Sequence, residues 1–189
     1  MSGERPTPSR STAIAGFVGG IAAFIVGYAI TYLWRGRSIE RTIQPIEVVL
    51  DLLQAEPIGA WRVVGWLYYS AHFVDTRITA RFGPGQATFY VDLVREGGGN
   101  LELLYLVPVV ALLLAGLLVA WSARPDSLGE GAVAGATVAL GYLVAVVVGL
   151  VVFAHAGNRP DPMPAILVAG VLYPVVFGGV GGAIGASIR

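Results

Sequence analysis

Four stretches of the chain lack Asp, Glu, Arg and Lys altogether: 11–34, 103–123, 131–158 and 162–188, of 24, 21, 28 and 27 residues. At 1.5 Å per helical residue even the shortest reaches about 31 Å, enough to cross a hydrocarbon core of about 30 Å. None alternates polar and apolar positions as a barrel strand does, and in lipid every amide must bond within its own helix or a closed barrel. The pattern therefore predicts an all-α membrane protein with four transmembrane helices, at 11–34, 103–123, 131–155 and 163–188. The connections 124–130 and 159–161 are short, so the last three helices are expected as sequential antiparallel neighbours. Residues 1–10, with Pro6 and Pro8, read as a disordered tail, and the first helix as a retained anchor, since its apolar run is longer than a cleaved signal requires.

The remaining connection, 35–102, is different in kind, with 68 residues and 15 of the 24 charges. Ile46, Val49, Leu50 and Leu53 fall at i, i+3, i+4 and i+7 opposite Glu47, Asp51 and Gln54. That spacing predicts an amphipathic helix starting near Pro45 and ending before Pro57. Residues 58–74 carry Trp61, Trp66, Tyr68, Tyr69 and Phe73, but their longest uncharged run, 63–74, has only 12 residues. An interfacial or re-entrant helix is expected there, with a fifth spanning helix as the alternative. Residues 77–82 and 87–94 are rich in β-branched and aromatic side chains and flank Gly83-Pro84-Gly85-Gln86, which predicts a β-hairpin with a four-residue loop. Gly97-Gly98-Gly99-Asn100 then reads as a hinge. The connection is thus expected to be an α+β subdomain, partly interfacial.

Composition narrows the chemistry. Charged residues are 13% against about a quarter in soluble domains, and hydrophobic residues are 56%. Twelve cations balance twelve anions, so no basic surface points to nucleic acid. There is no cysteine, hence no disulfide, thiolate nucleophile or cysteine-bound metal. All the cations are arginine, which removes the lysine of a phosphate-binding loop, and neither His-Glu-x-x-His nor Gly-x-Ser-x-Gly occurs. A protein that is not an enzyme and carries no cofactor is the reading.

Candidate functional groups are few. His72 lies three residues before Asp75 and three after Tyr69, so on one helix they share a face. They form either an acid–base or metal pair at the membrane surface or, as favoured, a polar spot that orients an interfacial helix, because two groups cannot close a metal site. His155 reads as a headgroup-level side chain. Tyr28, Thr31, Thr137, Tyr142 and Tyr173 are the notable polar groups at depth, and no carboxylate, lysine or arginine lies within a span, which disfavours ion-coupled transport by this chain alone. Gly16 with Gly20, and Gly178 with Gly182, have the four-residue spacing of close helix packing, with a homodimer face as the sharper alternative. Pro108 and Pro174 each remove an amide donor and are expected to kink their helices.

Three segments carry a resemblance: Gly27-Tyr28-Ala29-Ile30-Thr31-Tyr32-Leu33, Val64-Gly65-Trp66-Leu67-Tyr68-Tyr69-Ser70-Ala71-His72-Phe73-Val74-Asp75-Thr76, and Leu172-Tyr173-Pro174-Val175-Val176-Phe177-Gly178-Gly179. In that order they resemble a family of small haloarchaeal multi-spanning membrane proteins, uncharacterised and often labelled transporters. The likeness implies a haloarchaeal cell membrane and no known reaction. The resulting expectation is a multi-pass protein of the cell membrane, transporter-like or a subunit of a transport complex. The alternative is a scaffold whose 35–102 loop recruits a partner or ligand. Its partners are the lipid bilayer and a homo-oligomer or membrane complex. With the N-terminus cytoplasmic, the short segments hold Arg5, Arg10, Arg124 and Arg189 inside against Arg159 outside, which favours that orientation.

Overall fold

The computed structural model describes residues 7–52, 56–82 and 85–188. Among these residues four helices are long and apolar enough to cross a membrane, at Arg10–Pro45, Gly99–Ala123, Leu128–Val152 and Pro162–Ser187. The first belongs to helix α1, Arg10–Leu52, whose 43 residues extend about 64 Å. No separate helix starts near Pro45; that proline lies inside α1. Arginine and glutamate are good helix formers, so Arg35, Arg37, Glu40 and Arg41 end the apolar run without ending the helix. Leu53 and Gln54 of the expected amphipathic pattern lie outside the described residues, as do residues 1–6 of the expected tail.

Each later span departs from a uniform α-helix. The second opens with a 3-10 stretch, Gly99–Tyr105, in place of a free hinge, and continues as α4, Leu106–Ala123. The third consists of α5, Leu128–Ala136, and α6, Val138–Val152, joined at Thr137, whose hydroxyl donates to the Ala134 carbonyl at 2.6 Å. It starts three residues before its charge-free run because Ser127 Oγ accepts from the Glu130 amide while the Glu130 carboxylate accepts from the Asp126 amide, which ties the charged residue into the first turn. It stops at Val152 instead of 155, and a turn with a bridge between His155 and Asn158 follows. The fourth span begins with a turn, α7, Pro162–Pro164, capped by Asp161. It passes through a π-helical stretch, Ala165–Leu172, and ends as α8, Tyr173–Ser187. Around both prolines expected to bend their helices, the helix changes type. Pro108 follows the 3-10 stretch, and Pro174, which offers no amide to the Gly170 carbonyl, follows the π stretch.

The spans close on one another through glycine. Along α1 and the third span, Gly16 meets Thr137, Gly20 meets Val138 and Tyr142, and Phe24 meets Gly149, so these helices run parallel. A methyl added at Gly116 or Gly135 would overlap the Gly178 carbonyl, and one at Gly182 would overlap that of Gly131. The second, third and fourth spans therefore touch backbone to backbone, and the predicted glycine stripes are spent on contacts within the chain.

Residues 35–102 do not form a separate layer. Helix α2, Ala60–Ser70, has 11 residues, about 16 Å, too short to span, and every residue from Val64 to Ser70 is buried among the bundle helices. Gly65 lets it close against the Phe153 ring. Strands β1, Thr76–Phe82, and β2, Gly85–Val91, pair from Thr76 with Val91 to Phe82 with Gly85. Gly85 and Gln86 of the expected four-residue loop belong to β2, and Gly83 and Pro84 lie outside the described residues. Strand β2 ends at Val91 instead of 94 because Asp92 caps a short helix, α3, Leu93–Glu96, accepting from the Val94 and Arg95 amides at 2.9 and 3.2 Å. A third strand, β3, Arg159–Pro160, joins the other edge of β1, giving the order β2-β1-β3. The turn between the third and fourth spans and the long connection thus share one sheet.

Candidate functional site

Aromatic side chains fasten α2 to the end of the bundle. Tyr28 of α1 donates to the Trp61 carbonyl at 3.0 Å, Trp66 Nε1 donates to the Phe153 carbonyl at 2.8 Å, and the Tyr69 hydroxyl donates to the Val146 carbonyl. Gly27 makes room for the Tyr68 hydroxyl, which lies 2.9 Å from the Tyr142 hydroxyl. After α2 ends, Phe73 takes a positive φ of 59°. This left-handed residue costs about 1 kcal/mol and turns the chain back on itself. Phe73 points outward and stacks on Tyr105 with ring centroids 4.4 Å apart, while His72 points into the bundle.

The hydrogen bonds of His72 fix its tautomer. Nδ1 lies 2.8 Å from the Tyr68 carbonyl, which can only accept, so Nδ1 carries the proton. In the neutral ring Nε2 then accepts, and the Tyr142 hydroxyl donates to it across 2.6 Å. The Tyr142 oxygen is left to accept from Tyr68. The result is a one-way chain, Tyr68 hydroxyl to Tyr142 hydroxyl to His72 Nε2, closed by Nδ1–H on the Tyr68 carbonyl. All three side chains are almost wholly buried. Tyr173 of the fourth span, where the π stretch gives way to α8, faces the imidazole with ring centroids 5.2 Å apart. Burial disfavours the cation and pushes His72 down to about 4, while burial raises the Tyr68 and Tyr69 hydroxyls above their ordinary range.

The depth of this group is the unexpected part. Tyr142 lies ten residues before the end of the third span at Val152, about 15 Å along its axis. A histidine from the long connection therefore stands well inside the bundle, where a search of the spans for ionisable residues does not find it. Tyr142 is visible in the sequence as a polar group at depth, and His72 within an uncharged aromatic run; their meeting is a matter of tertiary structure.

The other expected residues fall elsewhere. Tyr69 and His72 both face the third span, but Asp75 does not join them, because α2 stops at Ser70 and the shared helical face stops with it. Among the described residues the Asp75 carboxylate has no hydrogen bond or ion pair, and its backbone carbonyl accepts from the Asp161 amide at 2.8 Å. Both ring nitrogens of His72 are engaged, which leaves none for a metal ion. His155, in the turn beyond the third span, is buried with Nδ1 3.8 Å from the exposed Glu56 carboxylate. A groove of about 500 Å³ between α1 and α4 is lined by apolar side chains and Ser122, and His72 does not line it.

The chain belongs to a family of unknown function (DUF7978), which it matches over residues 1–189. No curated protein and no solved structure matches it.

Proposed function

We propose that this member of a family of unknown function is a transporter-like protein of the cell membrane, or the membrane subunit of a transport complex, in which α2 closes one end of the bundle. The observation that carries the reading is His72, an ionisable side chain held deep in the bundle beside a fourth span that changes helix type next to Pro174. Ionisable groups inside a membrane protein are costly and mark ion or solute paths. Interrupted helices give transporters backbone groups that are free to meet a solute, and π segments recur at functional sites. In this reading the protein is not an enzyme, both termini are cytoplasmic and the α2 end faces outward. Purified protein in liposomes is expected to admit at least one solute from a broad panel faster than empty liposomes; uniformly tight vesicles would overturn the reading. The missing cysteine allows the orientation to be tested. With Gln86→Cys or Ser127→Cys in intact cells, an impermeant maleimide should label position 86 and spare 127.

A second reading, a scaffold that recruits a partner through the 35–102 connection, has one observation in its favour. Strand β2 is one edge of the sheet and leaves Phe89 and Tyr90 49% and 57% exposed. Phe89→Lys with Tyr90→Lys keeps α2 in place and should abolish co-purification of that partner. Unchanged co-purification would sink the idea.

A further inference from the structure

We propose that His72 is a proton-operated latch: when its imidazole takes a second proton, α2 leaves the bundle, so that acid on the α2 side opens the end that α2 closes. The inference rests on the reading that α2 is the closing element, and it adds what controls it.

In the neutral state each donor in the cluster has its acceptor: Tyr68 hydroxyl to Tyr142, Tyr142 to Nε2, Nδ1–H to the Tyr68 carbonyl. A proton on Nε2 turns that nitrogen into a donor. The Tyr142 hydroxyl must then rotate to accept from it and send its own hydrogen to the Tyr68 oxygen. The Tyr68 hydroxyl hydrogen is left to find a new acceptor. Its neighbour on α1 is Gly27, whose carbonyl already accepts from the Thr31 hydroxyl at 2.9 Å. One added proton therefore reverses two hydroxyls and strands a buried donor.

The same proton buries a charge with nothing to balance it. The titratable groups facing the ring are Tyr68 from α2, Tyr142 from the third span and Tyr173 from the fourth, with ring centroids 4.9, 5.8 and 5.2 Å away. The α1 residue at this level, Phe24, is apolar and packs on Tyr68 and Tyr142. None of these carries negative charge near neutrality, and Asp75 on the same segment makes no bond to the ring. An imidazolium in this setting gains by reaching water.

The chain is built to let it do so through α2. Gly59 leads into the helix in an extended conformation, and the left-handed Phe73 turns the chain back after it. Among the described residues the other hydrogen bonds from α2 to the bundle are single neutral ones at Tyr28, Trp66 and Tyr69, and its remaining contacts, such as Leu67 against Leu101 and Leu104, are apolar and carry no charge. The glycine contacts between the spans involve no titratable group, so the bundle stays shut elsewhere while α2 moves.

Thiol accessibility in the otherwise cysteine-free chain tests this without reference to any solute. Ala71→Cys sits at the buried end of α2, and Gln86→Cys, on exposed β2, corrects for the pH dependence of the thiol reagent. The rate at position 71 relative to 86 is expected to rise at least 10-fold between pH 7.5 and pH 4.5. In the His72→Gln background, where the amide offers a donor and an acceptor and cannot titrate, the ratio should stay flat; with His155→Gln the rise should persist. A flat ratio in the Ala71→Cys protein, a rise that survives His72→Gln, or one lost with His155→Gln would each overturn the proposal. If His72→Gln fails to fold, 15N-histidine spectra replace it, and an imidazolium forming at His72 while position 71 stays protected overturns the latch just as surely. Liposomes that are tight at every pH would end the transport reading while leaving this ratio free to rise.

Discussion

The two ends of the bundle are closed by opposite means. Toward the Arg10 and Arg124 end, Gly116, Gly131, Gly135, Gly178 and Gly182 bring three spans into backbone contact. Toward the α2 end, Tyr28, Trp66, Tyr68, Tyr69, Tyr142 and His72 fill the same kind of space with large rings and directed hydrogen bonds. The first end is held chiefly by close backbone packing, with polar ties at Thr137 and Glu130. The second is held by donors and acceptors that must match, and one of them titrates. A membrane bundle lacks a hydrophobic force between its helices, so close packing or internal hydrogen bonding must supply the association, and this chain uses one at each end.

Substitutions should separate the two. Gly135→Val drives a branched side chain into the Gly178 carbonyl and is expected to cost about 3 kcal/mol or more, read as loss of folded protein in detergent melts at any pH. Acid should act at the other end through His72. His72 has a folded pKa of about 4 against about 6.5 unfolded, so the unfolded chain binds more protons between those values. Stability is therefore full above about 6.5 and falls by about 3 kcal/mol as pH drops to 4, a loss that His72→Gln should remove from melts taken across that window. Tyr142→Phe keeps the ring but leaves Nε2 and the Tyr68 hydroxyl without their partner, at about 2 kcal/mol. Phe73→Ala gives up the stack on Tyr105 and should cost about 1 kcal/mol. Leu33→Ala, 82% exposed on the lipid side of α1, should stay within about 0.5 kcal/mol, and a larger effect would mean that another surface covers it.

Legibility in the sequence follows the same division. The four spans are readable because lipid selects against charge residue by residue, and a run without charge is a local property. The length of α1 is not, since charge marks where the solvent changes and arginine and glutamate continue a helix as well as leucine does. Pro174 signals a break in the fourth span without saying that the break is π-helical. The hairpin is readable to within three residues, but Gly85 and Gln86, typical loop residues, sit in the strand opposite Phe82 and Arg81. Strand β3, with two residues, has no periodicity to detect. At the site, Tyr69 and His72 stand out by composition and spacing, and Asp75 groups with them only on the premise of one continuous helix. A positive φ at Phe73 breaks that premise, and nothing about phenylalanine announces it. The partner of His72 is 70 positions away, and no local pattern pairs them.

Helix α1 has a mechanical consequence. Its last 18 residues, 35–52, continue the helix about 27 Å beyond the apolar run, with Pro45 inside it. A helix that long behaves as a stiff rod on which Gly16, Gly20 and Gly27 are fixed teeth. A torque applied near Leu52, whether from a partner or from the crowded surface of the membrane, reaches those teeth as rotation. Turning the rod by a fraction of one residue's 100° would lift Gly27 from the Tyr68 hydroxyl and Gly20 from the third span together. The protruding end is therefore a lever arm on both ends of the bundle, with its fulcrum inside the membrane.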